Sequence, residues 1–351
     1  MAGANGAGAR ELHVITGGGG FLGAHLATRL VERGRRVRIL DLAPGTRPLP
    51  EGVVVATGDV RDEAAVKRAL AGAAVVHHLA FVQSYSRRPE REQRAVALDG
   101  TKNVLVAARA EGARRVVFTS TIEIYGTHPP LPCPEDAPKD PVGLYGRLKW
   151  EAEGLAVAMG KAFRVPVVAL RMPTICGPGA SYHHAPLLTL LERALAGRAL
   201  AVVGPGVQQG DLVHLDDVCD AYALAADAPA ERVAGEAFNI ASGAPATHLE
   251  IVQALAAGAA AGGPGRGRAR IFVFPRLAFR LLVPFARTLA LTELDPEQEG
   301  YLLWSNVYAV DKARERLGYA PRRSTVEAAR ALIDGYRAER EATRARAAAH
   351  G

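Results

Sequence analysis

The sequence predicts an α/β fold, a Rossmann-type doubly wound parallel sheet with a smaller C-terminal substrate lobe. Three observations carry this. Over the first 170 residues, short β-branched runs alternate with helical stretches. The first run passes through a glycine-rich turn straight into a helix. After about residue 174 the alternation breaks into shorter, mixed elements. The expected division is a cofactor-binding part over 1–175, with later returns near 211–240, and a mainly substrate-binding part over 176–351.

Taken in order, buried parallel strands are expected at Leu12–Thr16, Val37–Leu40, Val53–Ala56, Ala74–Leu79, Val116–Thr121 and Val167–Leu170, because strands covered on both faces read as continuous apolar runs. Helices are expected at Phe21–Arg33, Asp62–Ala71, Glu90–Glu111 and Tyr145–Phe163. Gly34 suits a left-handed stop after the first helix, and Asp62 suits a cap on the second. Further on, strands are expected at Leu200–Val203, Asp211–His214 and Ala237–Ile240, and helices at Pro186–Ala196, Val218–Ala226, His248–Ala257, 275–290, 310–317 and 325–345. The Gly- and Arg-rich stretch Ala261–Arg270 reads as an exposed loop.

With 351 residues, 49% hydrophobic and 23% charged, the chain can bury a sizeable core, which excludes a disordered or disulfide-stapled chain. Its 43 basic and 36 acidic residues give a net charge of +7. The charge is scattered, apart from arginines at Arg266–Arg270 and in the C-terminal tail, and no aromatic-interleaved basic stripe suggests nucleic acid. Cys133, Cys176 and Cys219 lie far apart without zinc spacing and read as reduced thiols. Met1–Arg10 lacks the pattern of a signal peptide, and Ile271–Leu291 is interrupted by arginines and prolines, so a cytoplasmic protein without a membrane span is expected.

The glycine turn carries Gly17, Gly20 and Gly23 in a GxxGxxG spacing, with Phe21 and Leu22 opening the helix. One glycine permits the tight turn, one lets a pyrophosphate approach the backbone, and one packs helix on strand. The helix N-terminus then offers free N–H groups to the phosphates. Asp41 ends the second strand, where a carboxylate accepts ribose hydroxyls and repels a 2′-phosphate, favouring NAD over NADP. Arg47 runs against this preference unless it is an ordinary loop charge. Asp59 has the position for an adenine contact, or for a role at the next helix cap.

Tyr145 and Lys149 lie four apart on an expected helix and share a face. An ammonium beside a phenol favours the phenolate over the usual value of about 10, which suits a proton-transfer group near neutral pH. Thr121 ends a strand and offers a hydroxyl to polarise a carbonyl. Glu123 falls two residues on, on the same side if the backbone stays extended. Its alternative is a buried structural carboxylate paired with an arginine.

Thr16–Gly23, Gly58–Asp62, His78–Ala80, Asp99–Asn103, Ser120–Gly126, Tyr145–Lys149, Arg171–Gly179, Asp211–Asp217, Phe238–Ile240 and Leu317–Tyr319 follow one another in an order that resembles the extended short-chain dehydrogenases/reductases, the group of NAD-dependent epimerases and dehydratases. The resemblance spans nearly the whole chain. It implies Thr121, Tyr145 and Lys149 as the catalytic trio, with Glu123 as an added acid/base. It implies cofactor contacts from Gly17, Gly20, Phe21, Leu22, Gly23, Asp41, Asp59, Val60, Leu79, Ala80, Lys149 and Pro173. It also implies a homodimer built on the helices 90–111 and 145–163.

Departures narrow the substrate. Nucleotide-sugar members of the group hold a diphosphate with an Asn where this chain has Thr174, an Arg where it has Gly210, and an arginine in a segment matched by Tyr301–Ala309, which has none. A diphosphate needs charge-assisted donors, so the chain resembles instead the 3β-hydroxysteroid dehydrogenase-like branch, although Arg266, Arg268 or Arg270 can substitute. Arg276, Arg280 and Arg287 fall within about 40° on a helical wheel, amid Phe, Leu, Val and Ala. That pattern suits a lid over an apolar substrate, a helix lying on a membrane surface, or a core-facing helix with a solvated arginine stripe. Ile122 stands where dehydratases carry an acid, Ala97 where Asn is common and Cys176 where Tyr is common. His77, His78, His183 and His184 lack the spacing of a metal site, so none is expected, and His183 and His184 are candidates for the pocket wall. The expected function is NAD(P)-dependent interconversion of a secondary alcohol and a ketone on a fairly apolar small molecule. The alternative is a nucleotide-sugar epimerase, decarboxylase or dehydratase that recycles tightly bound NAD.

Overall fold

Leu12–Thr16 forms β1 with all five residues buried, and the chain turns into α1 (Phe21–Glu32). There follow β2 (Arg36–Asp41), β3 (Val54–Thr57), α2 (Glu63–Leu70), β4 (Val75–His78), α3 (Glu90–Ala110), β5 (Arg115–Thr121), α4 (Leu144–Phe163) and β6 (Val167–Met172). The later part holds β7 (Thr174–Cys176), α5 (Ala185–Leu195), β8 (Leu200–Val203), β9 (Gln209–Gly210), β10 (Leu212–His214), α6 (Leu215–Asp227), α7 (Ala230–Val233), β11 (Glu236–Asn239) and β12 (Ala246–Thr247). It closes with α8 (His248–Ala260), β13 (Ile271–Phe274), α9 (Arg276–Thr288), α10 (Pro296–Leu303), α11 (Asp311–Leu317) and α12 (Thr325–Ala349). The computed structural model describes residues 11–45, 47–83, 86, 88–179, 185–260, 269–289, 294 and 296–349.

Seven strands make one sheet in the order β3-β2-β1-β4-β5-β6-β11. Every neighbouring pair is parallel. The order reverses between β1 and β4, and in such sheets ligands bind in the crevice outside the strands' carboxyl ends at that point. Alternate side chains explain the two covered faces. Val14, Val76, Val116 and Phe118 pack under α2, α3 and α4. Ile15, Val75, Val117 and Val168 pack against α1, α6 and α11. A separate apolar cluster joins α5, β8, α8 and α12 through Leu191, Leu200, Leu255 and Ile333.

Local signals account for the boundaries. Gly34 takes φ +74° after α1, and Asp62 accepts the N–H groups of Ala64 and Ala65 to cap α2. The helix expected at 275–290 is present as α9, which follows Pro275, since proline suits a helix start; ahead of it Ile271–Phe274 is an unexpected strand parallel to β8. One expectation needs correction. That helix is not core-facing, because Phe279 is its one buried residue. The sequence signal passed over α10 and the short strands β7, β9 and β12 altogether, because each depends on distant partners.

Several histidines are buried in neutral form. His13 Nδ1 and His77 Nε2 lie 3.0 Å apart beneath the sheet. Burial pushes His13 and His78 down to about 3 and His248 to about 4. The unfolded chain therefore binds protons more readily than the folded one between those values and the ordinary value of about 6.5. Stability is fully present above about pH 6.5 and falls as pH drops toward 4, by up to about 1.4 kcal/mol per histidine per pH unit. Urea midpoints measured at about pH 7.5 and 5 should differ clearly on this account; equal midpoints would contradict it.

Candidate active site

The three spaced glycines divide their labour as the turn requires. Gly17 has φ +72°, and a side chain there would strike the backbone of Leu79 and Ala80. Gly23 sits so close to Gly17 and Gly18 that a Cβ would clash, so it lets α1 pack on the turn. An added Cβ at Gly20 would only touch Gly17 O, at 3.4 Å. Gly20 caps α1 without any side-chain hydrogen bond, so the helix N–H groups there stay available to an anion. An NAD pyrophosphate fits this cradle.

Asp41 stands beside it at the end of β2. Its Oδ2 accepts the Gly19 N–H at 2.8 Å and its Oδ1 the Leu42 N–H at 2.7 Å. Arg47 does not lie free beside it. Its Nη2 donates to Gly179 O at 2.6 Å and its guanidinium lies over the Phe21 ring. That removes the chief objection to an NAD-type ribose site at Asp41. Asp59 forms an ion pair with Arg61, whose hydrogen bond holds the carboxyl below its ordinary range. Val60, Leu79 and Ala80 follow β3 and β4, and Pro173 follows β6. All the expected cofactor contacts thus gather at the carboxyl ends of the sheet.

A buried chain supports the turn from behind. Thr101 Oγ1 donates to Ala97 O at 2.6 Å, so it accepts from His78 Nε2 at 3.1 Å. His78 Nδ1 then accepts from Thr16 Oγ1 at 2.7 Å, and Thr16 receives the Ala80 N–H at 3.4 Å. The neutral histidine's tautomer follows from this network. The sequence marks Ala97 as a departure; in the structure its backbone carbonyl accepts the Thr101 hydroxyl that ends this chain. Thr101→Val should weaken NAD binding about fivefold, the equivalent of ~1 kcal/mol for one hydrogen bond. Isothermal titration checks it, and an unchanged Kd would show the chain to be idle.

Tyr145 and Lys149 rise from the first turns of α4. Lys149 is buried, and its Nζ donates to Thr119 O at 2.7 Å. It lies 3.9 Å from the centroid of Phe81, and the same ring meets Tyr145 edge-on at 5.6 Å. Phe81 thus holds both groups in register, although one aromatic residue in a loop carries no sequence signal. Burial pulls Lys149 down to about 7, opposed by Glu123 and Glu153. Its charge therefore switches near neutral pH.

Thr121 ends β5, but the backbone does not stay extended. Its Oγ1 accepts the Glu123 N–H at 3.3 Å and starts a short 3-10 turn, Ile122–Tyr125, closed by Gly126 at φ +74°. The expected alternation between 121 and 123 fails because a threonine hydroxyl readily captures an N–H two residues on. Glu123 is nonetheless buried and acts electrostatically on Lys149. Close by, Arg171 grips Glu153, with Nη2–Oε1 at 2.5 Å and Nε–Oε2 at 3.1 Å. Glu153 also accepts from Ser120, and Arg171 donates to the Tyr125 hydroxyl, which donates to Asn239. This network locks α4, β5, β6 and β11 around Thr121.

Helix α10 packs beside this site. Tyr301 donates to Glu297 at 3.5 Å, and Glu297 is buried against Gly143, the cap of α4. Burial, Tyr308, Glu123 and Glu297 raise the Tyr301 phenol well above its ordinary value. Sequence reasoning missed both residues, since nothing in Pro296–Leu303 marks a site. Thr174 pairs with Leu212, and Gly210 packs toward His248 and Ile251. Neither position brings a cation. His183, His184, Arg266 and Arg268 lie outside the described residues. Among the described residues no group of three or more His, Cys, Asp or Glu is placed to hold a metal.

A dinucleotide cradle at the switch point of a parallel sheet, with Tyr, Lys and Thr at the neighbouring strand end, defines an oxidoreductase of the extended short-chain type. The model of the NAD dependent epimerase/dehydratase family matches residues 13–241, and the chain belongs to that family. It is 34% identical to 2-alkyl-3-oxoalkanoate reductase of Stenotrophomonas maltophilia over 91% of this chain and 97% of that protein. It is 30% identical to short-chain dehydrogenase/reductase family 42E member 1 of Danio rerio over 88% and 84%. Among solved structures, Thermus thermophilus UDP-glucose 4-epimerase in complex with NAD superimposes with TM-score 0.72 at 26% identity, covering 93% of this chain and 99% of that one.

Proposed function

We propose that this protein interconverts a ketone and a secondary alcohol on a fairly apolar small molecule, using exchangeable NAD. NAD, when bound, supplies or accepts the hydride at its nicotinamide ring. In the reducing direction Tyr145 gives its phenolic proton to the carbonyl oxygen, and Thr121 donates a hydrogen bond to that oxygen. Lys149, anchored on Thr119 O, supports the phenolate left behind and holds the ribose. Gly17, Gly20, Phe21, Leu22 and Gly23 bind the pyrophosphate, while Asp41, Asp59, Val60, Leu79, Ala80 and Pro173 line the rest of the cofactor. In this reading 1–175, with its returns near 211–240, serves the cofactor, and 176–351 mainly serves the substrate. The protein works as a cytoplasmic homodimer through α3 and α4.

One observation carries the choice of substrate. Thr174 pairs with Leu212 and Gly210 packs toward His248 and Ile251, so neither position offers the charged donor that a sugar diphosphate needs. The relative named for reducing a 2-alkyl-3-oxoalkanoate, an alkyl-chain ketone, supports the same choice.

The second reading, a nucleotide-sugar epimerase or dehydratase, draws on buried Glu123 beside Lys149 and on the fold shared with UDP-glucose 4-epimerase. Denaturing the purified protein and quantifying released dinucleotide separates the two. Little retained NAD, with reversible binding on addition, supports the reductase. One tightly held NAD per chain supports internal recycling.

A further inference from the structure

We propose that α9 and the end of β13 form a docking surface for an anionic phospholipid bilayer, on which the protein rests without crossing it. Leu277, Leu281, Leu282, Phe285 and Leu289 are each more than half exposed, Leu277 at 70%. At about 100° per residue, 277, 281 and 285 run along one line of the helix, with 282 and 289 beside it. Phe272 and Val273, also exposed, precede them on β13. An exposed apolar helix face of this kind marks an interaction surface.

The exposure is not that of a loose helix. The opposite side is anchored by Phe279, buried with Val203 and Leu303. Arg276 donates to Leu303 O at 2.8 Å and lies over the Trp304 ring, and Arg287 pairs with Glu299. The helix is therefore fixed with its leucines outward.

Charge selects the occupant. From Ile251 to Thr292 the sequence contains six arginines and not one acidic residue. Glu299 neutralises Arg287, while Arg276 and Arg280 are exposed on the side next to Leu277, as in helices that lie in a bilayer interface with basic groups at headgroup level. A second copy meeting this face across a two-fold axis would set Arg276 and Arg280 against their own images. An anionic bilayer meets both the apolar arc and its basic edge. No described helix is long and apolar enough to cross a membrane, so the contact is peripheral.

The placement also serves the site. α9 packs directly on α10, whose other residues Glu297 and Tyr301 face Gly143 and the region of Glu123. Bilayer docking would set the substrate mouth one helix away from a reservoir of apolar molecules. That consequence rests on the reductase reading; the docking does not.

Flotation with vesicles tests it without any substrate, so its failure is separable from failure of the proposed reaction. The full chain should float with phosphatidylcholine vesicles containing about one third phosphatidylglycerol, float poorly with phosphatidylcholine alone, and lose binding in about 0.5 M salt. The double variant L281D/F285D should reduce flotation at least tenfold, a loss of ~1.4 kcal/mol or more, while its melting temperature holds. Phe285→Trp should shift its emission to the blue on adding anionic vesicles, which keeps the test open if the aspartates disturb folding. No flotation by the unaltered chain, flotation unaffected by L281D/F285D, or an unshifted Phe285→Trp emission would overturn the proposal. So would a dimer that L281D/F285D splits without any vesicle binding, which would give the face to a second copy.

Discussion

Tyr145→Phe is expected to lower kcat by about 10²- to 10⁴-fold, the range for losing a positioned proton-transfer group. NAD affinity should be unchanged. The substitution keeps the ring that packs edge-on against Phe81 and removes the hydroxyl. Lys149→Met should differ, because Lys149 is also assigned to the ribose and hydrogen-bonds Thr119 O. It should lower kcat and weaken NAD binding together. Steady-state rates combined with NAD titration separate these outcomes. A Tyr145→Phe protein with unchanged kcat would remove Tyr145 from the chemistry.

Glu153→Ala is expected to destabilise the fold by about 3–5 kcal/mol, the range for leaving a buried partner charge unpaired. Arg171 is 5% exposed and Glu153 3%, so water cannot replace the lost carboxylate. Ser120 and, through Arg171, Tyr125 lose their fixed partners as well. Against a typical total of about 5–15 kcal/mol, this removes a large share of the stability. Glu153→Gln keeps the shape and an acceptor oxygen and should fall between. Urea unfolding measures both, and a Glu153→Ala midpoint within error of the unaltered protein would contradict the assignment.

The parts legible in the sequence are those ruled by local chemistry. β1 to β6 stand within two residues of their expected ends because buried parallel strands leave continuous apolar runs. Gly34 and Asp62 mark helix ends because their backbone or side chain satisfies the terminus directly. The four-residue spacing of Tyr145 and Lys149 survives because α4 covers both. What stayed hidden depends on distance in the chain. β13 exists by pairing with β8, far upstream. Glu153 reads as one more helix surface charge until Arg171 arrives from β6. Glu297 and Tyr301 enter the site only through the packing of α10 on Gly143. The turn after Thr121 failed for a different reason. It was a local competition between extended backbone and a hydroxyl-capped turn, and the hydroxyl won.

Net redox chemistry on an apolar carbonyl is open to one decisive assay. The purified protein is given NADH with a panel of alkyl-chain ketones, and in parallel with UDP-glucose, while NADH loss and products are quantified together. NADH should be consumed in equal amount to the alcohol formed from at least one alkyl ketone, and UDP-glucose should be left unchanged. Epimerised UDP-sugar without net NADH loss, and no ketone reduced, would contradict it.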